Sequence, residues 1–316
     1  MGRRLRAGSA AAKADVLPEV SVLMTTYNHE RTIAQAVQSV AAQQVDFPLE
    51  LVVGEDCSTD GTRAILLELA AQYPDLVRLR LRPTNWGRRR NWVDVLQACQ
   101  GRYVAVLEGD DYWISPHKLQ RQVDFMRANP TCAICFHAVW KVDETQGGKR
   151  WEFRPNPLQA RYTLADLCRR NFIATGAVLF RNHLYAPLPD WYATIPAGDW
   201  PLHVLNARHG DIGYLDELMG VHRIHSGGVW SARQTAQRLD DKIAVAVTLR
   251  DFLAPAYQEL WNLTLATFAW QKAWALARSE PIGALRAVGQ LLTRRDIPWR
   301  VKWQAGRQGW QGRRTV

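Results

Sequence analysis

Cysteine is scarce in this chain, and its few copies are not arranged as metal ligands or as a disulfide framework. The five cysteines are an odd number for 316 residues and show no regular spacing, which excludes a disulfide-stabilised scaffold. Cys132 and Cys135 form a single CxxC without a second pair or a histidine pair, so we expect them to be small hydrophobic residues of a buried strand. This cysteine usage is typical of a reducing cytosol.

Long hydrophobic runs are also missing. No stretch reaches the roughly 18 uncharged apolar residues of a membrane-spanning helix. The first residues, MGRRLRAGSAAAKAD, are basic but are not followed by an apolar segment, so they do not form a signal peptide. We therefore expect a flexible, basic N-terminus over residues 1–17 and a protein that is soluble or peripheral to a membrane.

Glycine-rich phosphate-binding motifs are absent as well. The chain has neither GxGxxG nor GxxxxGKS/T, which argues against a dinucleotide-binding Rossmann enzyme and against a P-loop. Phosphate must then be bound by a metal ion and by basic side chains. Acidic residues are in deficit, because 40 Lys and Arg against 30 Asp and Glu give a formal net charge of +10. Such a surplus favours an anionic partner: nucleic acid, acidic lipid headgroups or a phosphate-bearing substrate.

Apolar runs alternate regularly with helical patterns over residues 20–136. The strands that this pattern predicts are residues 20–24, 49–56, 77–81, 103–111 and 134–139, and the helices between them are 32–43, about 60–72, 91–99 and 116–129. Apolar strands separated by helices predict a parallel sheet that is covered on both faces. Ligands bind such sheets at the carboxyl ends of the strands.

Polar residues gather directly after three of these strands. The clusters are TTYNHE at residues 25–30, EDCSTDGT at residues 55–62 and EGDDYW at residues 108–113. One cluster alone decides little, because a residue such as Asp60 is also suited to cap the helix that follows. Three clusters on neighbouring strands of one sheet indicate a shared pocket.

The segment Glu108-Gly109-Asp110-Asp111 carries the clearest chemistry. Three acids within four residues repel one another unless a cation lies between them, and Mg²⁺ or Mn²⁺ takes one or two carboxylates together with substrate phosphates. Such a metal neutralises a diphosphate leaving group, whereas a solvated acidic turn is the alternative. The basic segment NWGRRRN offers Arg88 to a diphosphate, although a solvated basic turn explains it equally well.

The order of these segments resembles glycosyltransferase family 2. TTYNHE, GEDCSTDGT, NWGRRRN and LEGDDYW stand in the order and at the spacing of bacterial members that build cell-surface polysaccharides. The resemblance extends over about residues 20–230 and implies the GT-A fold, a Rossmann-like mixed α/β sheet flanked by helices. We expect a GT-A domain at residues 18–235, with a nucleotide-binding half at 18–137 and an acceptor-binding half at 138–235, and a helical, basic extension at 236–316.

The resemblance assigns roles to individual residues of the first half. It implies a nucleotide site formed by Thr26, Tyr27, Asn28, Glu30, Asp56, Arg88 and Asp110. Within this site, Thr26 and Tyr27 would line the base pocket. Asp56 would hydrogen-bond the base, a pattern that suits uracil and hence a UDP-linked donor. Asp110 would contact the ribose and the Mn²⁺ or Mg²⁺ ion, and Asp111 would hold the metal.

In the second half, Gly198-Asp199-Trp200 resembles the acidic motif that opens the catalytic helix of the family. Asp199 would be the general base that takes the proton of the acceptor hydroxyl, whose oxygen attacks the anomeric carbon and inverts its configuration. Capping of that helix is the alternative role. His225 would complete the metal shell or contact phosphate, or else be structural. Gly198 stands where the family often has glutamate, and Glu108 where it often has aspartate.

Beyond residue 283 the chain is rich in arginine and tryptophan. Basic residues outnumber acids there, and Trp299, Trp303 and Trp310 interleave with them. A basic segment bearing tryptophan is typical of a peripheral contact with an anionic membrane, with a solvated tail and a nucleic-acid surface as alternatives. We expect the acceptor to be a saccharide or a lipid-linked saccharide. The basic segment then predicts a cytoplasmic enzyme that lies on the inner face of the plasma membrane and binds no nucleic acid.

Two other classes of protein compete with this interpretation. A nucleotidyltransferase also uses a metal and a nucleotide on an α/β sheet, but it typically carries a glycine-rich basic loop where this chain has TTYNHE. A non-catalytic nucleotide- or carbohydrate-binding protein on a degenerate transferase fold would not need Asp110, Asp111 and Asp199 together. The sequence thus predicts a metal-dependent, inverting sugar transferase.

Overall fold

The computed structural model describes residues 17–228, 233–253, 255–277 and 279–311. Its strands are β1 (Val20–Thr26), β2 (Leu49–Glu55), β3 (Val77–Leu81), β4 (Tyr103–Val106), β5 (Tyr112–Trp113), β6 (Cys132–Asp143), β7 (Lys149–Phe153), β8 (Arg161–Tyr162), β9 (Leu179–Arg181) and β10 (Asp211–Ile224). Its helices are α1 (Ile33–Ala41), α2 (Thr62–Gln72), α3 (Arg88–Ala98), α4 (Lys118–Ala128), α5 (Leu164–Arg169), α6 (Asp199–Ala207), α7 (Thr235–Phe252), α8 (Gln258–Leu276), α9 (Pro281–Thr293) and α10 (Trp299–Gln311).

One mixed sheet organises the described residues, and its first half is parallel. The strand order is β3-β2-β1-β4-β9-β6-β10-β5, with β7 paired to β6 and β8 paired to β10. β1 lies between β2 and β4 and is parallel to both. Every residue of β1 and β4 is buried, and strands that are buried over their whole length need helices on both faces of the sheet. The predicted α/β fold is therefore confirmed.

The second half of the sheet departs from a purely parallel arrangement. β4 and β6 point the same way, as the pattern predicts, but β9 lies between them and is antiparallel to both. β10 is parallel to β6 and antiparallel to β5. Because β9 and β10 come from the second half of the chain, the two halves share one sheet. The last residues of β10 consequently run beside the acidic segment that follows β4.

Two boundaries differ from the prediction at this sheet edge. β4 ends at Val106 rather than at residue 111, because the acidic segment leaves the strand and continues as a loop toward β5. α3 begins at Arg88 rather than at residue 91. Gly87, with a φ of 81°, adopts the left-handed conformation that leads into this helix. The predicted basic turn is therefore largely the first turn of α3.

The C-terminal extension is a helical layer packed on the sheet domain. α7 begins at Thr235, as predicted, and α8 packs against α5, α7, α9 and α10. The fully buried ring of Trp261 in α8 lies 5.4 Å from the ring of Trp200 in α6, measured between centroids. Truncating a buried aromatic of this size costs about 3–5 kcal/mol. Part of the tryptophan content of the extension thus belongs to the core.

The scarce cysteines follow the prediction. All five are free, four of them are buried, and Cys132 and Cys135 lie on β6. Over the part of the chain that the structure describes, no helix is both long and apolar enough to cross a membrane. Most of the predicted basic N-terminus, residues 1–16, lies outside the described residues, as do Arg313, Arg314 and the side chain of Trp310.

Candidate functional site

A cavity of about 380 Å³ opens at the carboxyl end of β4. The first turns of α3 and α6 bound it, together with β6, β10 and α7. Its polar and charged lining consists of Arg88, Arg89, Glu108, Lys141, Asn171, Thr175, Asp199, His203, His222 and Lys242. This is the edge of the sheet at which ligands of such folds bind. It brings together residues that lie more than 150 positions apart, from Arg88 to Lys242.

Glu108 is the acid that enters this cavity from β4. Thr25 Oγ1 donates a hydrogen bond of 2.7 Å to Glu108 Oε2. The pKa of Glu108 is raised to about 7, mainly by burial and also by the charge of Asp110, while the hydrogen bond from the Thr25 hydroxyl opposes the shift. Glu108 is therefore partly protonated at neutral pH.

Asp110 faces a pair of histidines. His225 Nε2 lies 3.1 Å from Asp110 Oδ2, and His29 Nε2 lies 3.9 Å from the same oxygen. Burial acts to raise the pKa of Asp110, but the hydrogen bond from His225 and the charges of the histidines outweigh it, so the pKa is lowered. Gly109 permits this packing, because a Cβ there would lie 2.8 Å from His29 Nδ1 and from Thr26 Oγ1.

Asp111 is turned away from this pair and toward β10. Its Oδ1 accepts a hydrogen bond of 2.8 Å from the backbone N–H of Arg223, and its Oδ2 lies 3.1 Å from His222 Nδ1. Of the predicted metal ligands Asp110, Asp111 and His225, the structure brings Asp110 and His225 into contact, and Asp111 makes its contacts with β10. Across the described residues, no group of three or more His, Cys, Asp or Glu side chains is arranged to hold a metal ion.

Two of the predicted nucleotide-binding residues, Asn28 and Glu30, join loops in this structure. Asn28 Oδ1 accepts a hydrogen bond of 2.8 Å from the Thr59 N–H, and Glu30 Oε2 accepts one of 2.8 Å from the Gly61 N–H. Asp60 completes the connection, since its Oδ2 accepts a hydrogen bond of 3.1 Å from the Glu30 N–H, while its Oδ1 accepts one from the Thr62 N–H at the start of α2. The bond to the Thr62 N–H is the contact that helix capping, the alternative role for Asp60, requires. These side chains tie the loop after β1 to the loop after β2.

Asp56, directly after β2, and Trp86, just before α3, contact each other at the same end of the sheet. Asp56 is 3% exposed, and its Oδ1 accepts a hydrogen bond of 2.7 Å from the Trp86 N–H. Burial raises the pKa of Asp56, although backbone N–H groups at Trp86 and Gly87 oppose the shift. The guanidinium groups of Arg82 and Arg90 lie 4.3 and 4.1 Å from the Trp86 ring centroid. Thr26 is buried at the end of β1, whereas the Tyr27 ring is 42% exposed.

Asp199 lies in the first turn of α6 and lines the cavity. Its Oδ2 accepts a hydrogen bond of 2.9 Å from Asn171 Nδ2. The N-cap of α6 is Gly198, which has no side chain to cap with, so capping is not the contact that the Asp199 carboxylate makes. One helical turn later, burial lowers the pKa of His203 to about 4, while Asp199 acts to raise it. His203 is therefore neutral beside Asp199 at neutral pH.

Gly198 and Arg89 explain one departure from the family pattern. A Cβ at Gly198 would collide with the guanidinium of Arg89. Arg89 enters from the first turn of α3 and lies 5.4 Å from the Tyr192 ring centroid. Its neighbour Arg88 donates a hydrogen bond of 2.7 Å to the Pro196 carbonyl. The basic segment before α3 is thus docked against the entry to α6, and both arginines line the cavity.

Sequence reasoning missed several residues of the cavity. Asn171 lies in a stretch, NFIATGAVLFR, that is visibly unusual but offers no recognisable spacing to Asp199. His222 stands three residues before His225, and this spacing was the only indication in the sequence that His222 belongs to the site. Lys141 and Lys242 lie on β6 and α7, where a lysine resembles any solvated charge. Only the way the two halves pack together brings these four residues to one cavity.

Three known proteins are similar to this chain in sequence or in structure. An uncharacterized protein of Mycobacterium tuberculosis is 40% identical over 220 residues, which are 69% of this chain and 62% of that protein. The crystal structure of S. aureus TarS in complex with UDP-GlcNAc is 19% identical, with a TM-score of 0.63 over 94% of this chain and 92% of that one. The mannosyltransferase PcManGT of Pyrobaculum calidifontis, solved with GDP-Man and Mn²⁺, is 21% identical, with a TM-score of 0.58 over 94% and 87%.

The fold and the family agree with the predicted class. Similarity to the two solved structures, at their low identity, shows a shared GT-A fold. The family description that matches residues 21–186, more than half of the chain, is glycosyl transferase family 2. This chain therefore belongs to glycosyltransferase family 2. It spans 62% of the length of its curated mycobacterial relative.

Proposed function

We propose that this protein is an inverting glycosyltransferase. It moves a sugar from a nucleotide-diphosphate sugar, with UDP as the nucleotide that we favour, to an acceptor hydroxyl in the synthesis of a cell-surface polysaccharide. The observation that carries this proposal is that Asp199 and Glu108, which come from different halves of the chain, line one cavity. Asp110, the acid that we propose as a metal ligand, follows Glu108 by two residues in the loop between β4 and β5.

Asp199 acts as the general base in this proposal. The hydrogen bond from Asn171 to its Oδ2 orients the carboxylate toward the cavity. During transfer, Asp199 takes the proton of the acceptor hydroxyl, and the hydroxyl oxygen forms a bond to the anomeric carbon. The bond from that carbon to the diphosphate breaks, and its electron pair leaves with the diphosphate. Attack from the face opposite the leaving group inverts the anomeric configuration.

The nucleoside binds, in our proposal, at the ends of β1 and β2. Thr26, the exposed ring of Tyr27 and the carboxylate of Asp56 line this edge, and Arg88 contributes a cation near the diphosphate. The structures of TarS with UDP-GlcNAc and of PcManGT with GDP-Man support a nucleotide sugar as donor. Asn28 and Glu30 support the site indirectly, through the loops that they join.

The residues beside the cavity fit a hard divalent ion. Asp110 and His225 offer a carboxylate oxygen and an imidazole nitrogen 3.1 Å apart, a donor pair that suits Mn²⁺ and, with phosphate oxygens, Mg²⁺. We propose that these two residues hold the ion and that Asp111 positions β10 beside it. When bound, the ion neutralises part of the charge of the diphosphate. The Mn²⁺ in the PcManGT structure supports this assignment.

Thermal unfolding with nucleotides tests the donor site directly. A ligand that binds only the folded protein raises its melting temperature. We expect UDP, compared with GDP and dTDP, to stabilise the protein, and only when Mn²⁺ is present. Asp199→Asn should keep this stabilisation and lose sugar transfer. Absence of stabilisation by all three nucleotides would favour a non-catalytic binding protein, and transfer by Asp199→Asn near the wild-type rate would remove its role as base.

The last two helices suit a peripheral contact with an anionic membrane. Ile282 and Leu285 of α9 are 76% and 73% exposed, and Trp299 and Trp303 of α10 are 56% and 58% exposed. The exposed arginines of these helices are Arg286, Arg300 and Arg307, and Arg295 is exposed in the connection between them. Apolar and tryptophan side chains among arginines fit the headgroup region of an anionic leaflet. We propose that they hold the enzyme at the inner face of the membrane, near a lipid-linked saccharide acceptor.

A further inference from the structure

The cavity beside Asp199 contains more positive charge than the proposed chemistry requires. Four cationic side chains line it: Arg88 and Arg89 from α3, Lys141 from β6 and Lys242 from α7. The carboxylates among its lining residues are Glu108 and Asp199. The cationic side chains therefore outnumber the carboxylates two to one among the residues that line the cavity. The cavity is therefore electropositive as a whole.

Lys141 enters the cavity from β6 and Lys242 enters it from α7, and the two are close enough for the charge of one to lower the pKa of the other. Burial lowers the pKa of Lys141, and the charge of Lys242 lowers it further. Burial also lowers the pKa of Lys242, with Arg238 adding to the effect and Asp199 opposing it. The ammonium of Lys141 lies 4.0 Å from the centroid of the Phe153 ring. Two partly buried ammonium groups therefore share the side of the cavity that holds the proposed base.

Arg89 adds a guanidinium with unused donors. Its Nε and Nη2 are buried, and among the described residues neither nitrogen has a hydrogen-bond acceptor. A buried donor without an acceptor is unfavourable, and a planar guanidinium is shaped to bind carboxylate or phosphate oxygens in pairs. The arginine also lies in the first turn of α3, where the helix dipole disfavours a cation. An anion in the cavity would satisfy these groups together.

We propose that the acceptor saccharide carries an anionic group, a carboxylate or a phosphate, which Lys141, Lys242 and Arg89 bind while a neighbouring hydroxyl faces Asp199. This inference rests on the proposed function, since it names the class of acceptor that the same cavity takes. Binding of the anion beside the base fixes which hydroxyl is deprotonated. A neutral saccharide would bring no negative charge to the buried donors of Arg89, so the cavity favours the charged acceptor.

The test compares matched methyl glycosides on the full chain saturated with UDP and Mg²⁺, a diamagnetic ion that leaves the NMR signals of the probes sharp. Ligand-observed NMR gives the Kd of methyl glucuronide, of methyl glucoside 6-phosphate and of the neutral methyl glucoside. We expect at least one charged probe to bind roughly tenfold or more tightly than the glucoside, and which one does so separates a carboxylate from a phosphate acceptor. Equal affinity for charged and neutral probes, or no binding of either charged probe, would overturn the inference. This comparison needs no variant.

Charge-removing variants then locate the preference. Lys141→Met and Lys242→Met should each abolish most of the charged-over-neutral preference, and their UDP-dependent stabilisation should stay at the wild-type level. Lys149→Met, at an exposed position of β7, is the matched control and should keep the preference. If the two cavity variants instead lose UDP affinity in parallel, the lysines serve the donor diphosphate and the inference is wrong. Failure of UDP to bind the unmodified protein would count against the proposed function itself.

Discussion

Gly198 is the residue whose replacement tests how the two halves of the chain meet. Its missing Cβ leaves room for the guanidinium of Arg89 at the start of α6. We expect Gly198→Ala to lower the free energy of unfolding by about 1 kcal/mol, the low end for overpacking, because the atoms it meets are the end of the flexible Arg89 side chain, which moves aside. Urea unfolding measures this change.

Two further variants control the Gly198 prediction. Gly289→Ala in α9 adds a Cβ that meets nothing within 4 Å, and it should raise stability by about 0.5–1 kcal/mol, because alanine favours a helix interior over glycine. Adding Arg89→Ala to Gly198→Ala should recover part of the loss, since the two side chains contact each other. Full stability of Gly198→Ala alone would show that Arg89 does not need this space.

His137 makes the stability of the protein depend on pH. Burial lowers the pKa of this histidine from 6.5 to about 3, the charge of Lys118 lowers it further, and a hydrogen bond to the Ala138 carbonyl opposes both. Below pH 6.5 the unfolded chain therefore takes up a proton that the folded chain does not. The stabilisation is complete above pH 6.5 and is lost as the pH falls toward 3, by about 2 kcal/mol at pH 5.

Replacing the imidazole should flatten this dependence. His137→Met keeps an apolar side chain of similar size and removes the titration. Between pH 7 and pH 5, its free energy of unfolding should fall by about 2 kcal/mol less than that of the wild type. Urea unfolding at a series of pH values gives the two slopes. Parallel curves for wild type and variant would mean that His137 is not buried in its neutral form.

Among the elements, β10 connects the acidic segment to the second half of the chain. Asp111 holds this strand through the Arg223 N–H and His222, whereas Asp110 faces His225. We expect Asp111→Ala to lower the free energy of unfolding by about 1–3 kcal/mol, because the partly buried Arg223 N–H loses its acceptor. Asp110→Asn should keep the stability of the apoprotein and remove the Mn²⁺-dependent stabilisation by UDP. Thermal unfolding with and without UDP and Mn²⁺ measures both effects, and the reverse pattern would make Asp111 the ligand.

The strands of the sheet differ in how well the sequence predicts them. β1, β2 and β4 were predictable, because runs such as VSVLM are apolar on both faces and need no knowledge of their neighbours. The position of β9 was not, because the three residues Leu179–Arg181 pair with strands that lie far away in the chain. Asp110 and Asp199 were recognised from local motifs. Asn171, Lys141 and Lys242 reach the cavity only through this long-range pairing, which no local pattern encodes.

At the scale of the whole molecule, the C-terminal helices have two different faces. The inner face belongs to the core, since Trp261 packs on Trp200. Lys302 also points inward, because its Nζ donates hydrogen bonds to the carbonyls of Leu292 and Arg294. The sequence alone counts it among the basic residues that would face a membrane. The outer face keeps Trp299 and Trp303 exposed. A charge count over the segment therefore overstates the basic surface that a membrane could contact.

Vesicle binding tests whether that outer face is a membrane contact. The double variant Trp299→Ser with Trp303→Ser removes two rings that are 56% and 58% exposed, so it should leave the fold intact and weaken binding to vesicles containing phosphatidylglycerol by roughly tenfold. Trp151→Ser, at a ring on β7 that is 39% exposed, should bind like the wild type. Added salt should weaken binding of all three proteins, because arginines supply the electrostatic part. If the double variant and the control bind equally well, the contact lies elsewhere on the molecule, and its attraction to anionic lipid comes from net charge alone.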